Sequence, residues 1–283
     1  MTDMNKQILV IGGTGQQGGS VAEALLSTGW SIRVLTRDKS SEKVEALRAK
    51  GAEIVEGDLD EIESLEAALV DIYGIYSVQS APSGDIEVRW GKSVVDVAKK
   101  YEVQHIVYSS VAGVEKLAYQ GALTKNKIEK HIQSVGIPYT FIRPASFMEN
   151  YFRLKRGIFR GRITRQLKPT TREETIAVRD IGSFVAAAFN RPNEFKGQAI
   201  DIAGDNPSMS EVASEFTRRI GRPITYVQMP RDQVEERMPA QLVALMDWVE
   251  KEGYGVDIPK LKDRWGVPLT TFGEWLDSTE WVE

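Results

Sequence analysis

The chain contains no cysteine. That excludes disulfides, thiolate metal ligands and a thiol nucleophile, so a redox role would need a bound cofactor. It has only two histidines, His105 and His131, and no HxH or HxxxH spacing, which argues against a histidine metal site. No stretch approaches the ~18 consecutive apolar residues of a membrane helix. Met1–Lys6 runs straight into an apolar strand with no apolar signal region, so a cytoplasmic protein without a membrane partner is expected. The net charge is only −4, and nothing global favours nucleic acid or an anionic membrane surface. Internal repeats and low-complexity tracts are also missing.

What is present is an ordinary globular composition, 42% apolar and 27% charged over 283 residues. This is enough for one large core, or for a core domain and a small lobe. Strand-like and helix-like runs alternate through the first half. Strands are expected at Gln7–Ile11, Ser31–Thr36, Glu53–Glu56, Tyr73–Val78, His105–Ser109 and Tyr139–Arg143. Helices are expected at Gln17–Ser27, Ser40–Ala49, Glu61–Val70, Ile86–Tyr101 and Leu123–Val135. This rhythm implies right-handed crossovers and a Rossmann-type doubly wound parallel sheet, an α/β fold. After Arg143 the rhythm breaks. Gly157–Thr171 reads as a loop, Asp180–Asn190 as a helix and Ala199–Ile202 as a strand. Ser210–Ile220, 231–237, 240–252 and 271–278 read as helices, with a short strand at Thr225–Gln228. The expected division is a dinucleotide-binding domain over 1–150, with 176–204 returning to it. A smaller mixed α/β lobe then comes from 151–175 and 205–283.

Between the first strand and helix lies Gly12-Gly-Thr-Gly-Gln-Gln-Gly18. Gly12 permits a tight turn, Gly15 lets the backbone approach a pyrophosphate, and Gly18 allows close helix–strand packing. Thr14, Gln16 and Gln17 fill the turn and open the helix, whose free N–H groups and dipole favour an anion. The strand–turn–helix context is what gives the motif its specificity. It is not a P-loop, because no Gly-Lys-Ser/Thr follows.

The end of strand two chooses the cofactor. A carboxylate there would hold a ribose hydroxyl of NAD. Here Thr36 takes that slot and Arg37 follows, which suits the 2′-phosphate of NADP(H), with Lys39, Ser40 and Ser41 as further donors. Asp38 is the rival: a register one residue longer would make it the NAD acid. Asp58, with Leu59 beside it, follows strand three, where an aspartate faces the adenine. Asp60 and Glu63 fit a helix-capping box at the same turn.

These residues resemble the NmrA-like group of atypical short-chain dehydrogenase/reductases. The marks are the glycine turn, Val34-Leu-Thr-Arg37, Gly51-Ala-Glu-Ile-Val-Glu-Gly-Asp58, Val107-Tyr-Ser-Ser110, Gly136-Ile-Pro138 and Arg143-Pro-Ala-Ser-Phe-Met-Glu-Asn150. Weaker ones follow at Val178-Arg-Asp180 and Ile202-Ala-Gly204. Within the family, Gly-Thr-Gly-x-Gln-Gly-Gly-Ser-Val is most similar to the branch of the human NADPH-sensing member. The resemblance implies NADP(H) binding. It leaves open whether the chain reduces quinones, dyes and similar acceptors or regulates a partner without turnover.

The broader superfamily uses Tyr-x-x-x-Lys, and the matching lysine is Lys125. Position 121, four residues earlier, is glycine, so the usual tyrosine is missing; Tyr119 is six residues before Lys125 and off its helix face. Lys125 shares a stripe with Ile128, Ile132 and Val135, where a lysine usually has a partner; ribose hydroxyls would supply one, and a lysine snorkelling from the helix start is the rival reading. It is the candidate catalytic and cofactor-binding lysine. Ser109 and Ser110 stand where the superfamily places its serine. Val78 and Ser80 should pass the pyrophosphate or nicotinamide. Phe147, Glu149 and Asn150 sit where the family closes over the nicotinamide, and Tyr151 is a second proton-donor candidate against a core-packing reading.

One basic segment remains. Arg153, Lys155, Arg156, Arg160, Arg162, Arg165 and Lys168 place seven cations in sixteen residues. A flexible solvated loop beside the substrate cleft is the default reading, with a partner site as the rival. Nucleic-acid motifs are absent. Three functions compete: an NADPH-dependent reductase of a small-molecule acceptor, a non-catalytic NADPH/NADP redox sensor regulating a protein partner, and a binding-only scaffold. A homodimer is compatible with each. Room beside the nicotinamide favours the reductase; a cleft plugged by 147–175 favours the sensor.

Overall fold

The computed structural model describes residues 6–79, 83–116 and 120–282. Strands β1 (Gln7–Ile11), β2 (Ser31–Thr36), β3 (Glu53–Glu56), β4 (Ile72–Ser77), β5 (His105–Ser109) and β6 (Tyr139–Pro144) alternate with helices. These are α1 (Gln16–Ser27), α2 (Glu42–Ala49), α3 (Ile62–Leu69), α4 (Gly84–Lys100) and α5 (Gln120–Val135). Past β6 come β7 (Ser146–Phe147), a 3-10 helix (Met148–Leu154), α6 (Lys155–Ile158), β8 (Arg162–Arg165) and β9 (Thr175–Ile176). The chain then forms α7 (Val178–Asn190), α8 (Pro192–Phe195) and β10 (Gln198–Ile202). It ends with α9 (Met209–Ile220), β11 (Thr225–Gln228), α10 (Arg231–Arg237), α11 (Ala240–Glu252), α12 (Ile258–Trp265) and α13 (Phe272–Asp277). Among the described residues no helix is long and apolar enough to cross a membrane.

The main sheet has seven strands in the order β10-β6-β5-β4-β1-β2-β3, and every neighbouring pair is parallel. The expected Rossmann-type α/β fold is the observed one. The order reverses between β1 and β4, and a crevice opens at the carboxyl ends of the strands there. Both faces of the sheet are covered, which is why its strands read as near-continuous apolar runs. Ile8, Val10 and Val34 pack with Phe184 and Val185 of α7 on one side. Leu9, Ile75 and Ile106 pack with Val94 of α4 and Ile128 of α5 on the other. α1 and α7 approach closely because a Cβ on Gly182 would lie 2.6 Å from the Ser20 carbonyl oxygen. Ser20 Oγ donates to the Val178 carbonyl across the same contact (3.0 Å). A separate aromatic core of Tyr151, Phe216, Phe272, Trp275 and Trp281 fills the C-terminal half.

Three expectations are corrected. The stretch 157–171 is not simply a loop, because it contains β8, which pairs in parallel with β11, Arg162 opposite Thr225 and Arg165 opposite Gln228. Only Ile163 of β8 is fully buried, so its polar flanks hide the strand in the sequence. Helix α12 was not expected; Asp257 caps it, accepting from the Lys260 N–H (3.1 Å), and Leu261 and Trp265 anchor it to the sheet core. The capping box at Asp60 and Glu63 does not form. α3 begins at Ile62, with Glu61 at the cap position and no side-chain cap. The Asp60 carboxylate turns to α4 instead, pairing with Arg89 and accepting from Trp90 Nε1 (2.7 Å). A nearly buried indole N–H needs an acceptor, and Asp60 is the one in reach.

Candidate functional site

The crevice at the β1/β4 switch point is a cavity of about 640 Å³. Its floor is the glycine turn. Gly12 has φ +76°, and a Cβ on Gly18 would lie 2.1 Å from the Gly12 carbonyl oxygen, so both positions require glycine. Gly15 is the N-cap residue of α1 and has no side chain to cap with. The first-turn amides of Gln16, Gln17 and Gly18 therefore lack carbonyl partners from within the helix. They form a ready cradle for a pyrophosphate, beside Thr14 in the same wall.

One end of this cavity is lined by Thr36, Arg37, Asp38, Ser41 and Lys43. Asp38, the rival candidate for a ribose hydroxyl, lines the same end and engages only one of its carboxylate oxygens among the described residues. Its Oδ1 accepts from the Ser40 N–H (2.8 Å) and Ser40 Oγ (2.6 Å), and these bonds hold the carboxyl below its ordinary range. Arg37 is exposed and has no acid partner among the described residues. Lys39 turns away to Glu56 (2.8 Å) and does not line the cavity. Lys43, which sequence reasoning missed, reaches over the glycine turn and donates to the Thr14 carbonyl (3.2 Å). Its signal was its place in the first turn of α2, four residues before the buried Leu47 and so on the flank of the core-facing stripe. Asp58 and Leu59 line the far wall; Asp58 Oδ1 accepts from the Asp60 N–H (3.0 Å). Val78 and Phe147 close the cavity toward the sheet, and Trp90 joins them unforeseen. Ser80 and Tyr119 lie outside the described residues.

A second cavity of about 730 Å³ shares Gln17 and Phe147 with the first. Ser110, Lys125, Glu87 and Asn150 line it. The two serines at the end of β5 part company. Ser109 Oγ donates to Gln17 Oε1 (2.7 Å). Ser110 Oγ is buried with no hydrogen-bond partner among the described residues. Ser110 thus brings to the cavity wall a hydroxyl that no described protein group engages. Lys125 is 16% exposed, and its Nζ lies 2.8 Å from Glu87 Oε1 of α4, over the Tyr108 ring at 5.4 Å. The partner that its apolar stripe demanded is thus in part a protein carboxylate, whose other oxygen accepts from Thr124. An ammonium has three donors, so Lys125 retains capacity toward the cavity.

The far wall of this cavity is the segment 144–166 together with α10 and α11. Tyr151 lines it, but its ring is 2% exposed and packs on Phe216 and Phe272. Its hydroxyl accepts from Arg165 (2.9 Å), and burial pushes it up to about 12. Core packing is therefore its main role. Glu149 does not reach the cavity. Its carboxylate accepts from the Val178 N–H (3.1 Å) at the start of α7 and from Trp275 Nε1 (3.0 Å). The basic segment is likewise not a uniformly solvated loop. Arg165 is inserted beside the fully buried Glu173, with Nη2 to Oε1 at 3.0 Å, and Lys168 pairs with Glu250. The two histidines stay apart, His105 buried against Thr140 and His131 paired with Asp96.

The sequence model of the NmrA-like family matches residues 4–276. The chain belongs to the NmrA-like family. One relative is the NAD(P)H azoreductase of Xenophilus azovorans, 28% identical over 234 residues, 82% of this chain and 80% of the relative. Another is the (4-alkanoyl-5-oxo-2,5-dihydrofuran-3-yl)methyl phosphate reductase of Streptomyces griseus, 25% identical over 95% of this chain and 96% of the relative. Among solved structures, the NADPH-dependent quinone oxidoreductase of Escherichia coli, complexed with NADPH, superimposes with a TM-score of 0.82. That match is 24% identical and covers 95% of this chain and 98% of the other, which establishes the shared fold.

Proposed function

We propose that this NmrA-like chain is an NADPH-dependent reductase of quinone-like or carbonyl acceptors, working without the usual tyrosine. The observation that carries the reading is the second cavity. About 730 Å³ is open beside Ser110 and Lys125, and residues 147–175 wall this space rather than fill it. A sensor has no use for an acceptor-sized chamber joined to its cofactor cleft. Relatives whose names are those of reductases, acting on azo compounds and on a phosphate-bearing oxo-dihydrofuran, point the same way.

The residues fit NADPH. The first-turn amides of α1 suit the pyrophosphate. Arg37, Ser41 and Lys43 suit the 2′-phosphate, because all three line one end of the cavity and Arg37 has no acid partner among the described residues. Asp58 and Leu59 take the adenine side, and Lys125, Phe147 and Asn150 the nicotinamide side. On this reading 1–150 with 176–204 serve the cofactor, and 151–175 with 205–283 serve the acceptor.

NADPH supplies a hydride when bound. Ser110 Oγ donates a hydrogen bond to the acceptor oxygen that gains negative charge as the hydride arrives. Lys125 holds ribose hydroxyls, and Glu87 holds Lys125. The proton comes from water or from a hydroxyl of the acceptor, which a quinone tolerates because its reduced oxygens are weak bases. The test is oxidation of NADPH by the purified protein against quinones, azo dyes and aldehydes. Turnover dependent on an acceptor supports the reading. Saturable NADPH binding with no turnover across the panel overturns it in favour of a sensor.

A further inference from the structure

The acceptor cavity has a chemistry of its own. Its wall is rich in pliable apolar side chains: Met229, Met238 and Met246 join Leu154, Leu242 and Leu245. Such a wall accommodates a flat or irregular apolar body. The ionisable groups are unevenly signed. Among the lining residues the cations are Lys125, Arg153, Arg165 and Arg237, and the sole acid is Glu87. Glu87 is already matched to Lys125, and Arg165 is matched to Glu173 behind the wall.

Arg153 and Arg237 remain. Neither has an acid partner or a hydrogen bond among the described residues, and both are exposed. They come from different parts of the chain, Arg153 from the 3-10 helix after β7 and Arg237 from the last turn of α10, yet both line the same chamber. Two uncompensated guanidiniums on an apolar chamber are suited to a ligand that is greasy at one end and an oxyanion at the other. Guanidinium recognises carboxylate, sulfonate and phosphate through the same paired N–H geometry.

We infer that the acceptor of this protein carries an oxyanion, held by Arg153 and Arg237, on the apolar ring system that is reduced. The inference rests on the reductase reading for the word acceptor, and on the cavity alone for the anion. Charge focused on a cleft also steers such a ligand in at low salt.

The test compares naphthoquinone with its ring sulfonate as acceptors, in the wild type and in the R153Q/R237Q double variant. The two quinones differ in intrinsic reactivity, so the quantity read is the ratio of their kcat/KM values and how it changes on substitution. The double variant should lower kcat/KM for the sulfonate by roughly tenfold to hundredfold more than for the neutral quinone, the range for loss of a hydrogen bond to a charged group. The wild-type preference for the sulfonate should shrink with added salt. Equal losses for the two quinones, or a ratio unmoved by substitution, overturn the proposal. Binding of the sulfonate to the NADP-loaded protein is measured in parallel by calorimetry. If neither quinone turns over, the reductase reading is decided by the azo dyes and aldehydes of the wider panel, and the anion site by binding alone. The anion site then stands on sulfonate binding that weakens in the double variant, and falls if the wild type binds the sulfonate no better than the variant does.

Discussion

The ammonium of Lys125 and the carboxylate of Glu87 form an ion pair at 2.8 Å that joins α5 to α4 on the wall of the second cavity. Their side chains are only 16% and 14% exposed. Removing one partner leaves the other poorly solvated, and removing both is cheaper. Lys125→Ala should therefore cost about 1–3 kcal/mol of stability. The K125A/E87Q double variant should recover part of that loss, because the glutamine amide oxygen can still accept from Thr124. K125A should also weaken NADPH binding by roughly tenfold if the lysine holds ribose hydroxyls. Thermal melting and a cofactor titration read the two effects. Strict additivity of the two substitutions would remove the coupling.

Arg37 and Lys43 make separable predictions at the other end of the cleft. Arg37 lines the cavity and has no acid partner among the described residues, which leaves its charge to face the cleft. Arg37→Ala should weaken NADPH by about tenfold, the scale of one charge-assisted contact, and leave NADH nearly untouched. Lys43 also braces the glycine turn through the Thr14 carbonyl. Lys43→Ala should weaken both cofactors. An equal loss of NADPH and NADH in Arg37→Ala would remove the 2′-phosphate assignment.

The sequence made the nucleotide half legible because its signals are local. An apolar strand, a glycine turn and a helix stripe lie within one short stretch, and all three appear where the residues imply them. The glycine turn, Arg37, Ser41, Asp58, Leu59, Val78, Lys125, Phe147 and Asn150 line one cavity or both, while Lys39 and Glu149 turn away. What stayed hidden depends on distant partners. β8 has one buried residue and exists because β11 lies some sixty positions on. Glu87 looks like a first-turn acid of α4 until the fold brings Lys125 to it. The acid at 149 follows the family motif but turns to Trp275, a residue over a hundred positions later. Helix α12 was readable and overlooked: Asp257, Pro259, the Leu261–Trp265 spacing and Gly266 are its cap, first turn, buried stripe and stop.

Glu149 gives a pH prediction. Burial raises its carboxyl above the ordinary value, against the opposing hydrogen bonds from Val178 and Trp275. Between the ordinary value near 4.5 and the raised one, the folded protein holds a proton that the unfolded chain has lost. Stability from this group is thus fully present below the ordinary value and declines as pH rises through the raised one. Glu149→Gln keeps an acceptor oxygen for both donors and cannot ionise. Its melting temperature should fall less than that of the wild type between pH 4 and pH 7, so the difference between the two should grow with pH. A difference that is constant across that window would remove the assignment.

Ser110 sets stability against function in a way that a packing residue does not. Its buried hydroxyl has no partner among the described residues, and an unmet buried donor costs about 1–3 kcal/mol. Ser110→Ala removes that cost without changing the volume much. The cofactor-free variant should melt higher, by about 2–4 °C for each kcal/mol recovered in a chain of this size. The same variant loses the neutral donor that this strand end offers to a developing oxyanion. Its kcat for carbonyl and quinone acceptors should fall by roughly a hundredfold, the lower end of what removal of one such donor costs. A serine kept for packing would show the reverse, lower stability with kcat intact. On the reductase reading, a buried hydroxyl at the end of β5 on the cavity wall makes Ser110, rather than the core-packed Tyr151, the donor whose loss kcat should register.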